Sequence, residues 1–188
     1  AIGGVPPKNN GDFAWVQHMI ASMKSDTGRL GVVMPHGVLF RGGAEGKIRQ
    51  HLIESDLLEG VVGLAPNLFY GTTIPACLLF FSANKPAERK GHVLFVDGAK
   101  RFTKGKNQNT LNDADVEDLY AVFQSNGVEE RADIAARLVA HDEIIDNGFD
   151  LNIGRYLKAD AAEVIDVGEA LAALEESRKE LAAAETAM

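Results

Sequence analysis

Two short apolar runs on either side of an amphipathic segment set the pattern of this chain. Residues 30–34 and 60–64 are apolar without alternation, which is typical of strands buried on both faces, as in parallel sheets. Between them, residues 44–55 place their apolar side chains at helical spacing on one face. A strand, a helix and a strand of these lengths predict a βαβ unit with a right-handed crossover.

A third apolar run, residues 74–81, predicts a strand that returns in the opposite direction. The connection that precedes it, residues 65–73, contains a proline and a glycine and is too short to hold a crossover helix. Pro75 is compatible with the start of such a strand but not with its middle. The pattern therefore predicts an α/β fold in which parallel strands end in a reversed hairpin strand.

The remaining pattern adds further helices and strands around this unit. Helical spacing predicts a helix beginning near Asn10 or Asp12, either of which can cap it. It predicts another helix over 112–125, capped by Asn112 or Asp113 and ended by an αL turn at Asn126-Gly127. Residues 92–97 are apolar and predict a fourth strand, whereas 132–140 fit a helix or a strand equally well. With 188 residues, 46% of them hydrophobic, the chain is long enough for one domain with its own core.

Two loops are the candidates for chemistry because each follows the carboxyl end of a predicted parallel strand. Ligands of open α/β sheets bind beyond those ends. Residues 35–43 and 65–73 are unusually apolar for loops, and each holds an aromatic residue close to glycine. If the two loops leave the same edge of the sheet, we expect them to form the wall of a single cleft.

The glycines of 42–46 allow three interpretations. They follow a strand and open a helix, as in a dinucleotide-binding turn, but their spacing is Gly-Gly-x-x-Gly and not Gly-x-Gly-x-x-Gly. No acidic residue ends the next strand to hold a ribose, since Leu64 and Ala65 stand there. The glycines can instead permit close helix–sheet packing, or Arg41 and the helix N-terminus can attract a DNA phosphate.

The distribution of charged residues along the chain gives one indication that the protein binds nucleic acid. The formal net charge is −8, yet residues 85–106 contain seven basic and two acidic side chains. A solvated loop explains this basic block equally well, and the spacing gives no role for its segment 104–109. The candidate contacts to a DNA backbone are Arg41, Lys100, Arg101, Lys104 and Lys106.

The cysteine, the histidines and the lengths of the apolar runs indicate the cellular compartment and the types of site that the chain can form. Cys77 is the single cysteine and lies in an apolar run, which favours a core position over a nucleophile. The histidines show no ligand spacing with cysteine or acidic residues, so no metal is predicted. Neither a disulfide framework nor an apolar run of membrane-spanning length is present, which predicts a cytoplasmic protein without membrane contact.

Several long runs resemble one family, the modification subunits of type I restriction-modification systems. The runs are GGVPPKNNGDFAWVQHM, MPHGVLFRGGAEGKIRQHLIESDLLEGVVGLAPNLFYGTTIPACLLFF, KGHVLFVDGAKRFTKGKNQNTL and GFDLNIGRYL, which together span residues 3–157. The resemblance implies an adenine-N6 DNA methyltransferase that uses S-adenosylmethionine. It also implies DNA and the specificity subunit as partners, with the restriction subunit reached through the latter. The implied fold is the C-terminal half of a Rossmann-like methyltransferase sheet, whose reversed strand is the hairpin strand predicted above, followed by a C-terminal helical tail.

Two motifs of that family are absent from these 188 residues. One is the glycine-rich cofactor loop, and the other is the catalytic Asn-Pro-Pro-Phe. Residues 5–8 read Val-Pro-Pro-Lys, without the amide that binds the adenine amino group or the aromatic ring that stacks on the base. We therefore expect the C-terminal part of a longer subunit with no catalytic residue here, unassigned cofactor-binding residues and no methyl transfer by this part alone.

An aromatic pair is the candidate for contact with the target base. The resemblance places a ring in the turn before the reversed strand, against the extruded adenine, and here Phe69 is the first candidate and Tyr70 the second. The alternative is that Phe69 fills the core beneath the hairpin.

The chain divides by composition into three predicted parts. Residues 1–110 correspond to the catalytic domain, 111–158 to a mixed α/β extension and 159–188 to a helical tail without aromatic residues. The tail has apolar residues at heptad positions that form a predicted docking face: Val164, Val167, Leu171, Leu174 and Leu181. By resemblance, this helix contacts the specificity subunit. The alternative function is an assembly module that binds the specificity subunit and DNA without catalytic residues of its own.

Overall fold

A computed structural model describes residues 2–157 of the chain. Within them the strands are β1 (Arg29–Pro35), β2 (Leu58–Gly63), β3 (Ala76–Ser82), β4 (His92–Asp97) and β5 (Ala135–Ala140). The α-helices are α1 (Asp12–Ala21), α2 (Ala44–Glu54), α3 (Asp113–Gln124), α4 (His141–Asp146) and α5 (Ile153–Leu157). Two single 3₁₀ turns cover His36–Leu39 and Ala87–Arg89.

The strands form one sheet in the order β1-β3-β2-β4-β5. β3 is antiparallel to both β1 and β2, so these two strands run in the same direction with the reversed strand between them. β2 and β4 are parallel, and β4 and β5 are antiparallel. The α/β fold and the reversed strand are confirmed. The predicted parallel pairing is confirmed in part: β2 and β4 pair in parallel, whereas β3 lies between β1 and β2 and β5 is antiparallel to β4.

Burial differs between the two strands that share one direction. β2 is buried at every position, as predicted, because it lies between β3 and β4 and packs on both faces, with Val61 in one buried cluster and Val62 in the other. In β1 exposed positions alternate with partly or fully buried ones, and Val33 is 50% exposed. Within residues 2–157, β1 pairs on one side only, with β3. The prediction that both strands are buried on both faces is therefore correct for β2 and wrong for β1.

The two faces of the sheet carry separate groups of buried side chains. Helices α1 and α2 pack on one face through residues such as Phe13 and Ile48. Helix α3 covers part of the other face through Leu119, Val122 and Phe123. The predicted apolar faces of α1 and α2 are thus confirmed as core. The predicted face of α3 is confirmed in part, because Leu119 and Phe123 are buried whereas Val116 and Tyr120 are 51% and 62% exposed.

The helix ends test the predicted caps. Helix α3 is capped by Asn112, which accepts from the Asp115 amide while the Asp115 carboxylate accepts from the Asn112 amide, a reciprocal capping box. Helix α1 follows Gly11 without a side-chain cap. Asn10 and Asp12 therefore do not cap it.

The segment beyond residue 110 belongs to the same sheet. The ambiguous stretch 132–140 contains β5, and helix α3 packs against the sheet. The tail 159–188, with its predicted docking face, lies outside the described residues. No helix among residues 2–157 is long and apolar enough to cross a membrane.

Candidate functional site

The carboxyl ends of β1, β2 and β4 lie at one edge of the sheet. The carbonyl oxygen of Ala76, the first residue of β3, accepts from the Leu64 amide at 3.0 Å. The Nε2 atom of His36 lies 3.0 Å from the same oxygen. The Gly98 amide after β4 donates to the Gly63 carbonyl at 3.0 Å. The loops that follow these three strands therefore start side by side, which we call the loop edge.

The loop after β1 turns towards the core and not towards a cleft. Val38 and Leu39 are buried against the helices, and the Arg49 guanidinium binds the carbonyl oxygens of Val38 at 3.2 Å and Arg41 at 2.6 Å. Burial lowers the pKa of Arg49, and these carbonyl oxygens partly replace its lost hydration. Phe40 remains 52% exposed.

The cavity at the loop edge is formed by the loops after β2 and β4. Its volume is about 350 Å³, and its lining residues are Leu64, Leu68, Phe69, Tyr70 and the four residues Gln108, Asn109, Thr110 and Leu111. The loop 35–43, which was predicted to share this cleft with 65–73, contributes no lining residue. The two loops share the edge as predicted, but the expected second wall is wrong. The second wall comes from the loop after β4.

Phe69 and Tyr70 project from a closed turn at the mouth of this cavity. Asn67 has a φ of +58°, a left-handed conformation that asparagine tolerates better than most residues. Its amide donates to the Thr73 carbonyl at 3.3 Å and so closes the turn 67–73. Phe69 is 41% exposed and Tyr70 is 95% exposed. Neither ring belongs to the buried clusters of the described residues.

A second closed loop, residues 103–110, lies against this aromatic turn. Thr103 and Thr110 pair through their backbones at 2.8 and 3.0 Å and close its base. At its tip the Gln108 side-chain amide donates to the Leu68 carbonyl and the Asn109 side-chain amide to the Pro66 carbonyl, at 2.5 and 2.8 Å. The segment 104–109, which had no predicted role, thus contacts the aromatic turn. Its run of three consecutive amide side chains was the available signal.

The predicted DNA-backbone residues divide into two groups. The Arg41 guanidinium lies 2.5 Å from the Asp12 carboxylate and 2.9 Å from that of Glu45. Arg101 pairs with Asp115 at 3.1 Å and also with Asp118. By contrast, three lysines are exposed and have no ion pair within the part of the chain that the structure describes: Lys100, Lys104 and Lys106.

The other end of the predicted basic block is internal. The Lys85 ammonium is fully buried and lies 2.6 Å from the Asp56 carboxylate. Burial lowers its pKa, and the hydrogen bond to Asp56 opposes that effect. Arg89 is also buried and pairs with Glu59 at 2.7 Å. Residues 85–106 are therefore not one basic surface, because two of its cations neutralise carboxylates inside the fold.

Cys77 is a core residue, as predicted. It is fully buried, and its thiol lies 3.4 Å from the Met34 carbonyl oxygen. Burial raises the pKa of this thiol to about 12, so the nucleophilic thiolate is scarce at neutral pH.

The described residues do not fit S-adenosylmethionine or a dinucleotide at the glycine turn. An added Cβ at Gly42 or Gly43 would meet no atom within 4 Å, so these glycines neither permit close packing nor line a cradle. Gly43 instead has a φ of +64°, which favours glycine. Leu64 and Ala65, at the end of β2, are buried and apolar and cannot hold a ribose. Residues 2–157 also hold no cluster of three or more potential metal ligands.

Comparison with known proteins decides the family. The sequence profile described as N-6 DNA Methylase matches residues 1–164. The chain belongs to this family. It is 35% identical over 178 residues to the type I restriction enzyme MjaVII methylase subunit of Methanocaldococcus jannaschii, covering 94% of this chain and 30% of that protein. It is 38% identical over 162 residues to the HindI methylase subunit of Haemophilus influenzae, covering 82% of this chain and 35% of that protein.

A solved structure agrees with this assignment to the N-6 DNA methylases. The methyltransferase subunit of a type I restriction-modification system from Streptococcus thermophilus is 39% identical, with a TM-score of 0.76. The match covers 84% of this chain and 32% of that one. The predicted resemblance is confirmed, and the chain spans about a third of the length of these relatives.

Proposed function

We propose that this chain forms part of the adenine-N6 DNA methyltransferase subunit of a type I restriction-modification system. In this proposal the subunit transfers a methyl group from S-adenosylmethionine to an adenine that has left the DNA stack. The observation that carries the proposal is the pair Phe69 and Tyr70, which are 41% and 95% exposed at the mouth of the cavity. Membership of the N-6 DNA methylase family supports it.

The physical argument starts from the cost of extruding a base. A flipped adenine loses its stacking partners, and an aromatic ring restores about 1–3 kcal/mol of that loss. The volume of about 350 Å³ lies at the small end of ligand sites, about 300–1,000 Å³, which suits one base. Phe69 faces this cavity and is the proposed stacking ring, with Tyr70 as the second contact.

The exposed lysines supply the proposed contact with the DNA backbone. Lys100, Lys104 and Lys106 stand on the loop that forms the second wall of the cavity. Cations at this place bind phosphates without reading sequence. Arg41 and Arg101 are weaker candidates, because each would have to exchange its carboxylate partners for phosphate.

Catalysis itself is assigned to residues outside this chain. Methyl transfer needs the cofactor, a base-binding amide and the stacking ring at once. We assign here only the ring and the phosphate contacts. The chain alone is therefore expected to transfer no methyl group.

The test is a chimera in which residues 3–157 replace the matched third of the HindI methylase subunit. Transfer from radiolabelled S-adenosylmethionine to DNA is measured for the chimera, for its Phe69→Ala variant and for Phe40→Ala, which removes another exposed ring. We expect Phe69→Ala to slow transfer at least about tenfold, which corresponds to about 1.4 kcal/mol, and Phe40→Ala to have no effect. Unchanged transfer by the Phe69→Ala chimera, or robust transfer by the isolated chain, would contradict the proposal.

A second proposed function is assembly with the specificity subunit, with the restriction subunit reached through it. It is supported by the names of the relatives, which are subunits of type I restriction enzymes. Removing 159–188 is expected to abolish co-purification with a specificity subunit while Phe69→Ala leaves it intact. Complex formation that survives the deletion would overturn the docking role of the tail.

A further inference from the structure

The loop 103–110 forms several hydrogen bonds with the segment that carries Phe69. Four hydrogen bonds join residues 66–68 to residues 107–109, and three of them end on the carbonyl oxygens of 66–68. Besides the two bonds from Gln108 and Asn109, the Asn109 amide donates to the Asn67 carbonyl at 2.9 Å. The Asn67 side-chain amide donates to the Asn107 carbonyl at 3.2 Å.

The contacts end on the residues that immediately precede Phe69 in the chain. Pro66, Asn67 and Leu68 are the three residues immediately before Phe69, and the carbonyl group of each accepts a hydrogen bond from Gln108 or Asn109. A peptide whose successive carbonyl groups are fixed has little freedom left in its φ and ψ angles. The direction in which the Phe69 ring leaves the backbone is therefore set by the neighbouring loop.

The neighbouring loop is itself fixed at both ends. Its base is closed by the Thr103–Thr110 pair, and the Asn112 side-chain amide donates to the Thr103 hydroxyl at 2.9 Å. Its bend needs Gly105, where an added Cβ would lie 2.0 Å from the Gln108 carbonyl oxygen. The base of the loop is thus tied to helix α3 through Asn112, which caps that helix.

We infer that Gln108 and Asn109 are positioning residues that fix the Phe69 turn for the extruded base, an inference that rests on the proposed function. They act through the backbone of 66–68 and do not touch the reacting atoms. The same loop carries Lys104 and Lys106, so DNA phosphates bound there and the base-stacking ring are held by one structural unit.

The first experiment measures amide hydrogen exchange in the free 188-residue chain. Gln108→Glu and Asn109→Asp keep the shape of each side chain but remove its N–H donor, and both are made singly and together. Asn107→Ala is the matched control, because within the described residues its side chain forms no hydrogen bond and only its carbonyl is used. The double change is expected to speed exchange of the Asn67 and Asn109 amides, which donate to the Thr73 and Asn67 carbonyls, at least about tenfold, with the amides of β4 unchanged.

The outcomes separate this inference from the proposed function. Exchange of the Asn67 and Asn109 amides within about twofold of Asn107→Ala in all three variants would overturn the positioning role. If the double change loosens the whole sheet, the two single changes give the same comparison in a folded chain.

The second experiment uses the chimera with the HindI subunit. Asn109→Asp is expected to lower kcat for methylation at least about fivefold while KM for DNA changes less than about twofold, and Asn107→Ala changes neither. Faster exchange of the turn without any change in kcat would leave the hydrogen-bonded contact standing. If Phe69→Ala still slows transfer, that result overturns the positioning role of Asn109 in methylation. If Phe69→Ala also leaves transfer unchanged, the stacking role of Phe69 is overturned.

Discussion

Arg89 and Glu59 form an ion pair inside the protein, with 2.7 Å between Nη1 and Oε1 and exposures of 4% and 1%. The Arg89 guanidinium also donates to the Asn126 side chain, and it lies 4.4 Å from the centre of the Phe123 ring. Arg29 reaches the same carboxylate from the surface at 2.9 Å. One glutamate therefore joins β2 to β1 and to the segment before β4.

Glu59→Gln is expected to destabilise the fold by about 3 kcal/mol. The change leaves the buried Arg89 cation without its counter-charge, and breaking a buried pair by removing one partner is more costly than the pair is favourable. The free energy of unfolding in urea measures the loss. The control is Glu54→Gln on the exposed side of α2, which is expected to stay within about 0.5 kcal/mol of the unaltered chain.

Phe69→Ala is expected to change the stability of the chain by less than about 0.5 kcal/mol, because its ring belongs to no buried cluster of the described residues. Phe81→Ala, which removes a ring that is 1% exposed, is expected to cost about 3–5 kcal/mol. Urea unfolding of the two variants compares them directly. Equal losses would mean that Phe69 is a core residue after all.

Gly60→Ala is expected to cost about 1–3 kcal/mol. An added Cβ would lie 2.7 Å from Cε2 of Phe123 and 3.1 Å from the Leu94 carbonyl oxygen, so α3 would have to move away from β2. The matched change is Gly42→Ala, whose Cβ meets no atom within 4 Å. A thermal melt that ranks Gly42→Ala as the more harmful change would refute the close approach of α3.

Lys104→Ala combined with Lys106→Ala is expected to weaken DNA binding by the chimera without regard to sequence. Each lost phosphate contact lowers the slope of log K against log salt by about 0.9. Fluorescence anisotropy at several salt concentrations gives this slope. Lys24→Ala, before the opposite end of β1, is the control. A slope equal to that of the control would remove these lysines from the DNA interface.

His141 is expected to make stability depend on pH on the acidic side of neutrality. The pKa of His141 is lowered from the ordinary value of 6.5, mainly by burial and then by the nearby charges of Lys85 and His92. The carboxylates of Asp56 and Asp142 raise the pKa and partly offset this effect. The unfolded chain therefore binds this proton at a higher pH than the folded chain. The stabilisation is complete above pH 6.5 and is lost as pH falls from there towards the folded pKa.

The measurement is the change in Tm between neutral and mildly acidic buffers for three chains. His141→Gln is expected to shrink that change, because its side chain does not titrate. His18→Gln, at an exposed position of α1, is expected to leave the change as it is. A pH response that His141→Gln does not alter would assign the acid sensitivity to other groups.

Patterns within single segments predicted most elements correctly, because burial of one face decides them locally. The Asn112 cap, the apolar face of α2 and the turn with Asn126 and Gly127 at positive φ are of this kind. The place of β3 between β1 and β2 is not, since strand order depends on pairing between distant segments. The sequence of an apolar strand does not show whether the strand lies at the centre or at the flank of a sheet. The exposure of β1 was therefore not predicted.

At the loop edge, too, local patterns predicted some features, whereas contacts between distant residues could not be predicted. Its location followed from strand direction, and the exposure of the aromatic pair is compatible with the role expected from the family resemblance. The sequence did not predict which charged side chains form internal ion pairs. Lys85 pairs with Asp56 and Arg89 with Glu59, and each pair joins residues that are far apart in the chain. For the same reason the amides of Gln108 and Asn109 had no visible partner, since the carbonyl groups that they bind lie about forty residues earlier in the chain.

The position of β3 has a consequence for synthesis of the chain on the ribosome. β1 and β2 emerge first, but neither pairs with the other, and the strand that joins them is complete only when Ser82 has emerged. Until then both strands present unpaired backbone edges, and β2 is apolar apart from Glu59, whose partner Arg89 has not yet been made. The interval between Gly63 and Ser82 is therefore the stage of translation at which this half-built sheet is most open to pairing with another chain.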